Sequence, residues 1–441
     1  MNKILHFVFL TVAAVFLLSS CDDSDPYYGS GVQSEFNLLY SNRTGSSEKY
    51  GTLQLKYSGE EFYGADVYFE KQSDYTANIK LLNVVPGEAA LIENVELVPS
   101  EGSGYTFGGS ATTERGTALK YSGSVVVTEE GYENANKRLV LSLSDVVIPE
   151  SSVFVSGTYP TMKIDARRET GYNGTFYSMP AYLDWKVKRD GKTESLISVA
   201  GIDMTLMVQR LLGSMLYLVL PDITFHKDGN LTVKYAALPD VDMADLMNGN
   251  VDAGMRQEIN ESPKNLVFYN VKRETRNSNL GERDYMYIRI NIESLLKIVN
   301  IGNINIDLGG LLGGIDLGGD GLDLGEIINV LLDYYPKLNS LLNNGIPFLI
   351  EKNEVYVPEY GTSYFYGDYK LYIEENEIGW LIELLPDILD LLGVDLSSLL
   401  QSLIDDPTLA PILGPLLDNI VDDMKNTVSV KLGLYLQGEN N

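Results

Sequence analysis

The chain is predicted to be mainly β with α insertions: an N-terminal antiparallel β-barrel, then a second β unit decorated by short leucine-rich helices. Three observations carry this. Between residues 50 and 150, polar and apolar residues alternate in short runs, the period of a strand with one wet and one buried face. Turn residues such as Ser58-Gly59, Pro86-Gly87 and Glu130-Gly131 separate the runs. In the second half, strand-like runs are interrupted by stretches in which Leu and Ile recur at helical spacing. With 441 residues, 44% of them hydrophobic, the chain can bury more than one core without disulfides, and a disordered chain is excluded.

Residues 1–20 read as a secretory signal. Lys3 supplies a basic start, and the apolar run Phe7 to Leu18 is shorter than the roughly 20 residues a bilayer span needs. The run ends in Leu18-Ser19-Ser20-Cys21, with Cys21 the single cysteine of the chain. This resembles the lipobox of bacterial lipoproteins. The resemblance implies that Cys21 becomes the first residue and carries lipid (palmitate among it), anchoring a folded domain through buried acyl groups. Asp22, Asp23 and Asp25 follow at once, similar to the surface-export signal of Bacteroidetes lipoproteins; a plain solvated acidic tether is the other reading. Residues 21–34, rich in Asp, Ser, Gly, Pro and Tyr, are expected to be a flexible tether.

Residues 35–165 are expected to form the barrel. Thr52 to Tyr57, Asp66 to Glu70 and Leu139 to Ser144 alternate strictly, and Ala77 to Val85, Leu91 to Val98, Gly104 to Gly108 and Leu119 to Val127 are further strand-like runs. The opening Tyr50-Gly51-Thr52-Leu53, the run Gly87 to Val98 through Ile92-Glu93-Asn94-Val95, the pair Tyr105 and Phe107, and the closing strand around Leu139 come in an order that resembles the calycin-like β-barrel domain of uncharacterised gut Bacteroidetes lipoproteins. That resemblance implies a lipocalin-like barrel and an outer-membrane, lipid-anchored address on the periplasmic or cell-surface side. It brings no activity with it.

The second unit is expected over residues 170–441. Its strands are Leu183 to Lys188, Leu216 to Leu220, Asn230 to Tyr235, Leu266 to Val271, Tyr285 to Ile292, Phe348 to Ile350, Val355 to Val357, Tyr369 to Ile373 and the terminal Val428 to Leu436. Helical insertions fall at about residues 293–345 and 377–425, where Pro336, Pro386 and Pro411 each open a short leucine-rich segment. They read as core-covering helices or, alternatively, as the lining of a greasy cavity.

Candidate chemistry is sparse. With one Cys and two His, thiolate and multi-histidine metal sites are excluded, and His226 reads as a structural residue where a strand enters a turn. Gly318 to Asp323 matches six places of a calcium-binding nonapeptide repeat, which makes Asp320 and Asp323 a weak calcium candidate against the reading of a Gly-rich connector. Tyr356, Tyr360, Tyr364, Tyr366 and Tyr369 crowd one stretch and form the candidate ligand-binding surface, since tyrosine offers a flat apolar face with a polar tip; strand packing is the competing role.

A net charge of -28 argues against nucleic-acid partners. The expected function is a non-catalytic, lipid-anchored envelope protein without a cofactor, binding a glycan, a small apolar ligand or an envelope protein partner. A structural or adhesive surface lipoprotein is the alternative. A carboxylate-dependent glycan hydrolase is the second alternative, and it would need two facing acids about 5–9 Å apart.

Overall fold

The computed structural model describes residues 34–43, 50–100, 104–127, 136–150, 156–168, 175–199, 202–276, 281–291, 293–294, 297, 344–352, 363–365, 367–379, 423 and 425–438. Its first nine strands are β1 (Leu38–Ser41), β2 (Gly51–Tyr57), β3 (Glu60–Glu61), β4 (Asp66–Lys71), β5 (Thr76–Leu82), β6 (Ala90–Pro99), β7 (Gly104–Thr112), β8 (Ala118–Val127) and β9 (Lys137–Val147). They pair in the order β1-β4-β5-β6-β7-β8-β9-β2, and β2 returns to β1, which closes an eight-stranded barrel with β3 on its rim.

Full antiparallel pairing was the expectation, and the closure departs from it. β2 runs parallel to both β1 and β9, because the chain returns to the starting end between Ser41 and Gly51 before β2 begins. The other six pairings are antiparallel.

Alternation decides the barrel interior. On β2, Leu53, Leu55 and Tyr57 point in, as do Ile79 and Leu81 on β5 and Leu139, Leu141 and Leu143 on β9. Eight strands leave an interior just wide enough for side chains to fill, and here apolar side chains fill it. Both ends are closed by rings. At the end where β2 starts, Phe36 meets Tyr105 edge-on at 5.7 Å, and Lys71 donates to the Tyr105 hydroxyl at 2.9 Å and to Asp74 at 2.8 Å. At the other end Tyr57 and Phe62 pack on Phe268, a residue of the second unit, with ring centroids at 5.8 and 5.5 Å.

The second unit contains β10 (Gly157–Pro160), β11 (Asp165–Arg168), β12 (Thr175–Ser178), β13 (Ala181–Arg189), β14 (Lys192–Ser195), β15 (Ser198–Val199), β16 (Ile202–Asp203), α1 (Thr205–Val219), β17 (Asp222–Phe225), β18 (Leu231–Ala236), α2 (Met243–Asn248), β19 (Ile259–Glu261), β20 (Val267–Glu274), β21 (Arg283–Ile290), β22 (Ile346–Lys352), β23 (Ser363–Phe365), β24 (Tyr369–Glu374) and β25 (Thr427–Leu436). Seven strands form its main sheet in the order β14-β13-β25-β24-β22-β21-β20, antiparallel throughout. β25 lies inside this sheet, third of its seven strands, between β13 and β24. Because β10 pairs with β17, the second unit begins by Gly157.

One face of the main sheet is apolar. Met286, Ile350, Leu371 and Leu436 pack on Tyr159, Ile223, Phe225 and Leu231 of the sheet β10-β17-β18-β19. Leu216 to Leu220 was expected as a strand, yet Leu216 to Val219 end the helix α1. A five-residue apolar run fits either structure. The spacing of Gln209, Gly213, Ser214, Tyr217 and Leu218, all buried on one side, is helical. The two leucine-rich insertions lie mostly outside the described residues. They connect β21 to β22 and β24 to β25. β21 and β24 run parallel, since β22 is antiparallel to both, so both connections leave from the same end of the sheet.

The barrel and the second unit are welded at the β20–β21 corner. Tyr57 donates its hydroxyl to the Asp228 carbonyl at 2.6 Å. The Asn265 amide donates to the carbonyls of Tyr57, Glu60 and Glu61 at 3.0–3.2 Å. Asn291 donates to the Tyr63 carbonyl at 3.0 Å, and Ile148 N–H to the Lys227 carbonyl at 2.8 Å. Gly87, at φ +81°, lies so close to Asn270 that a Cβ would meet its amide at 2.6 Å. Bonds across such a seam hold only if the two bodies move together.

Candidate functional site

The second face of the main sheet carries the densest chemistry among the described residues. Strand alternation puts Tyr285 and Tyr287 of β21, Leu349 and Glu351 of β22, Lys370, Tyr372 and Glu374 of β24, Lys431, Gly433 and Tyr435 of β25, and Tyr182 and Asp184 of β13 on this side. Each has an apolar neighbour on the opposite face: Met286, Ile350, Leu371, Leu434 and Leu183.

Gly433 sets the geometry. It pairs with Tyr182 on one side and Tyr372 on the other. A Cβ there would meet the Leu371 carbonyl oxygen at 2.0 Å and Tyr372 Cβ at 2.6 Å. With no side chain between them, the rings of Tyr182 and Tyr372 close over β25 to 5.4 Å at 73°, and Tyr182 meets Tyr435 at 5.5 Å. Edge-to-face arrangements of this kind suit the aromatic quadrupole.

Cations sit on these rings. Lys370 Nζ lies 4.9 Å from the Tyr182 ring and 4.8 Å from the Tyr372 ring, and pairs with Glu351 at 2.8 Å. Lys431 lies 5.3 Å from the Tyr372 ring and 3.9 Å from Glu374. Lys272 stands 4.9 Å over Tyr287. Arg276 forks onto both oxygens of Glu377 at 2.7 Å and donates to the Tyr287 hydroxyl at 2.7 Å, while Tyr287 donates to Glu274.

Burial and charge then divide the site in two. Tyr285, Tyr287, Tyr372 and Tyr435 are only 3, 5, 2 and 6% exposed and form a floor. Tyr182, Glu351, Lys370, Glu374 and Lys431 are half-buried and form the accessible part. Burial pushes the tyrosine hydroxyls up, which keeps them neutral donors at any physiological pH. Burial also pushes Glu374 up, with Glu351 and Glu377 adding to it. Burial acts the same way on Glu351, but the bond and charge of Lys370 outweigh it and hold that carboxyl below the usual range. The accessible part therefore offers closely paired donors and acceptors over a rigid aromatic base.

The residues singled out in the sequence fall in different places. Tyr369 belongs to the apolar core, where it meets Tyr159 at 6.4 Å, on the face opposite Tyr372. Tyr364 is paired through its backbone with Phe176 of β12. Tyr356, Tyr360 and Tyr366, the calcium candidates Asp320 and Asp323, and Leu18, Ser19, Ser20 and Cys21 lie outside the described residues. His226 follows β17: its N–H donates to the Asn230 carbonyl at 2.8 Å and its Nε2 meets Thr232 Oγ1 at 2.7 Å. Among the described residues no group of three or more His, Cys, Asp or Glu side chains could hold a metal, and no helix is long and apolar enough to cross a membrane.

Sequence reasoning missed Tyr182, Tyr285, Tyr287, Lys370, Lys431 and Tyr435 as one surface. A signal existed: in four separate strands Tyr and charged residues share one parity while Leu, Ile and Met take the other. Which strands are neighbours is not written in that parity. Comparison with known proteins found no matching family model, no matching curated protein and no matching solved structure.

Proposed function

We propose that this chain is a lipid-anchored, non-catalytic protein of the bacterial cell envelope in which a solid barrel raises a glycan-binding face away from the membrane. The observation that carries the reading is the tyrosine face: an aromatic floor edged by the Lys370–Glu351 and Lys431–Glu374 pairs. Sugar hydroxyls both donate and accept, so they can exchange partners with such pairs while a sugar ring rests on Tyr182. A glycan is favoured over a small apolar ligand because the accessible part of the face is polar and the barrel interior is filled by its own side chains.

The barrel is read as a variant of the calycin-like type, with its ligand cup replaced by a packed core. The predicted tether ends at residue 34, next to the barrel end that Phe36 closes; the second unit sits on the opposite end, at Phe268. A lipid on Cys21 would then hold the tyrosine face about one barrel length from the outer membrane.

Two experiments test this. Metabolic labelling with a palmitate analogue is expected to mark the wild-type chain and not Cys21→Ala; equal labelling of both removes the anchor. A glycan array, followed by calorimetry on the best binder, is expected to give a signal that falls at least tenfold in Tyr182→Ala or Lys370→Met. A chain that binds no glycan, or binds equally well in both variants, favours the structural or adhesive role instead.

A further inference from the structure

We propose that the rim where the barrel meets the second unit holds a second site, for a small oxyanion such as a carboxylate or phosphate group, with the Arg289 guanidinium as its main ligand. This site lies apart from the tyrosine face and does not depend on it.

Arg289 is the penultimate residue of β21 and reaches over the barrel end. Its guanidinium lies 5.5 Å from the Phe268 ring, the ring that closes the barrel. Among the described residues it makes one hydrogen bond, from Nη2 to the Asn83 carbonyl at 3.0 Å. A guanidinium has five N–H donors in a planar fork that matches carboxylate and phosphate oxygens, so most of this fork is unused. The residue is half-buried.

The nearby charges do not neutralise it. Among the described residues no carboxylate lies within ion-pair distance of Arg289, whereas Arg43, the next cation, is held by Asp66 at 2.7 Å. Burial draws the Arg289 pKa down to about 10, opposed by Tyr57 and reinforced by Arg43; it therefore stays cationic at neutral pH. A partly desolvated charge without a counterion is costly. In a chain with 61 acidic and 33 basic residues, leaving one so placed points to a counterion from outside.

A second observation belongs to the same rim. The hydroxyl of Ser294 is buried with no hydrogen-bond partner, three residues beyond Asn291, which binds the barrel at the Tyr63 carbonyl. Lys297 stands 5.8 Å from the Tyr63 ring. A buried orphan hydroxyl and an ammonium group on the rim that also carries an underused guanidinium are donors of the kind oxygen anions take.

The test is a titration of the full chain with inorganic phosphate and, separately, acetate, at constant ionic strength set by chloride. A saturable rise in melting temperature in wild type with either anion is expected, since a ligand that binds only the folded state stabilises it. The anion that saturates at the lower concentration identifies the group. Arg289→Met is expected to lose the rise. Arg289→Lys, which keeps the charge but not the fork, is expected to bind at least tenfold more weakly; it decides the matter should the Met variant fail to fold. No saturable response in wild type, or the same response in wild type and the folded variant, overturns the proposal.

Discussion

The barrel and the main sheet of the second unit are built from the same kind of strand, yet they put tyrosine to opposite uses. In the barrel, Tyr40, Tyr57 and Tyr121 alternate with polar residues and point inward among Leu, Val and Ile. In the main sheet, Tyr285, Tyr287, Tyr372 and Tyr435 also alternate, but with apolar residues that occupy the core face, so the tyrosines share their side with Lys and Glu. The barrel closes on itself and has a single inside. The open sheet has two faces, and the smaller sheet β10-β17-β18-β19 covers only one of them. Closure, not strand composition, decides whether a buried tyrosine packs in a single apolar interior or beside lysine and glutamate.

Four measurements can break or sharpen that contrast. The largest effect is expected at Phe268, which belongs to the second unit by chain and to the barrel by packing. Phe268→Ala should cost about 3–5 kcal/mol in urea unfolding, through lost burial and the cavity left behind. It should also split one transition into two; a single unshifted transition would show that the barrel closes without it.

Gly433 comes next. Gly433→Ala places a Cβ against the Leu371 carbonyl oxygen, at 2.0 Å before relaxation. It should destabilise by about 3 kcal/mol, toward the upper end for overpacking. The near-ultraviolet signal of the tyrosines should fall with it. A variant as stable as wild type would mean the rings meet without the gap.

Asn265 sharpens the seam between the regions. Asn265→Ala removes the donor to three carbonyls and should cost about 1–3 kcal/mol. Hydrogen exchange should then rise at the Glu60–Glu61 rim and not in β13 or β25; uniform change across the chain would argue against a local seam.

The smallest effect is a pair of opposite pH responses on the tyrosine face. Glu374 has a raised pKa in the folded chain, so its contribution is full below the ordinary glutamate value of 4.5 and is lost as pH rises through the folded value. Glu351 has a lowered one, so its contribution is present above 4.5 and is lost as pH falls through the folded value. Glu374→Gln should therefore gain stability relative to wild type on going from pH 3 to pH 7, and Glu351→Gln should lose it. Changes of the same sign in thermal scans would show that the two carboxyls share one environment.

Much of the fold was legible in the chain, and the reasons are local. β2, β4, β6, β8 and β9 lie within a few residues of where alternation and turn residues put them, because a period of two and a Gly or Asn at a turn act over short range. Leu216 to Leu220 went the other way, since so short an apolar run suits a helix and a strand alike. The parallel insertion of β2 was invisible: direction depends on where the chain goes between Ser41 and Gly51, and no side chain records that. The candidate site shows the same limit. Tyr369 and Tyr372 stand three apart in one strand, an odd spacing, and so face opposite ways. Position along the pleat, not crowding in sequence, decides which of them joins the site.

By itself, then, the amino-acid order determined which residues form strands, which side of each strand is apolar, and the strong excess of acid over base. Those properties follow from backbone sterics, from the transfer of side chains out of water and from simple charge. Tertiary structure alone decided that β25 sits inside its sheet, that Phe268 closes a barrel more than a hundred residues earlier in the chain, and that tyrosines from four strands share one face with their lysines. These depend on which strands pair across long loops, an outcome of packing the whole chain at once that no short stretch of it encodes.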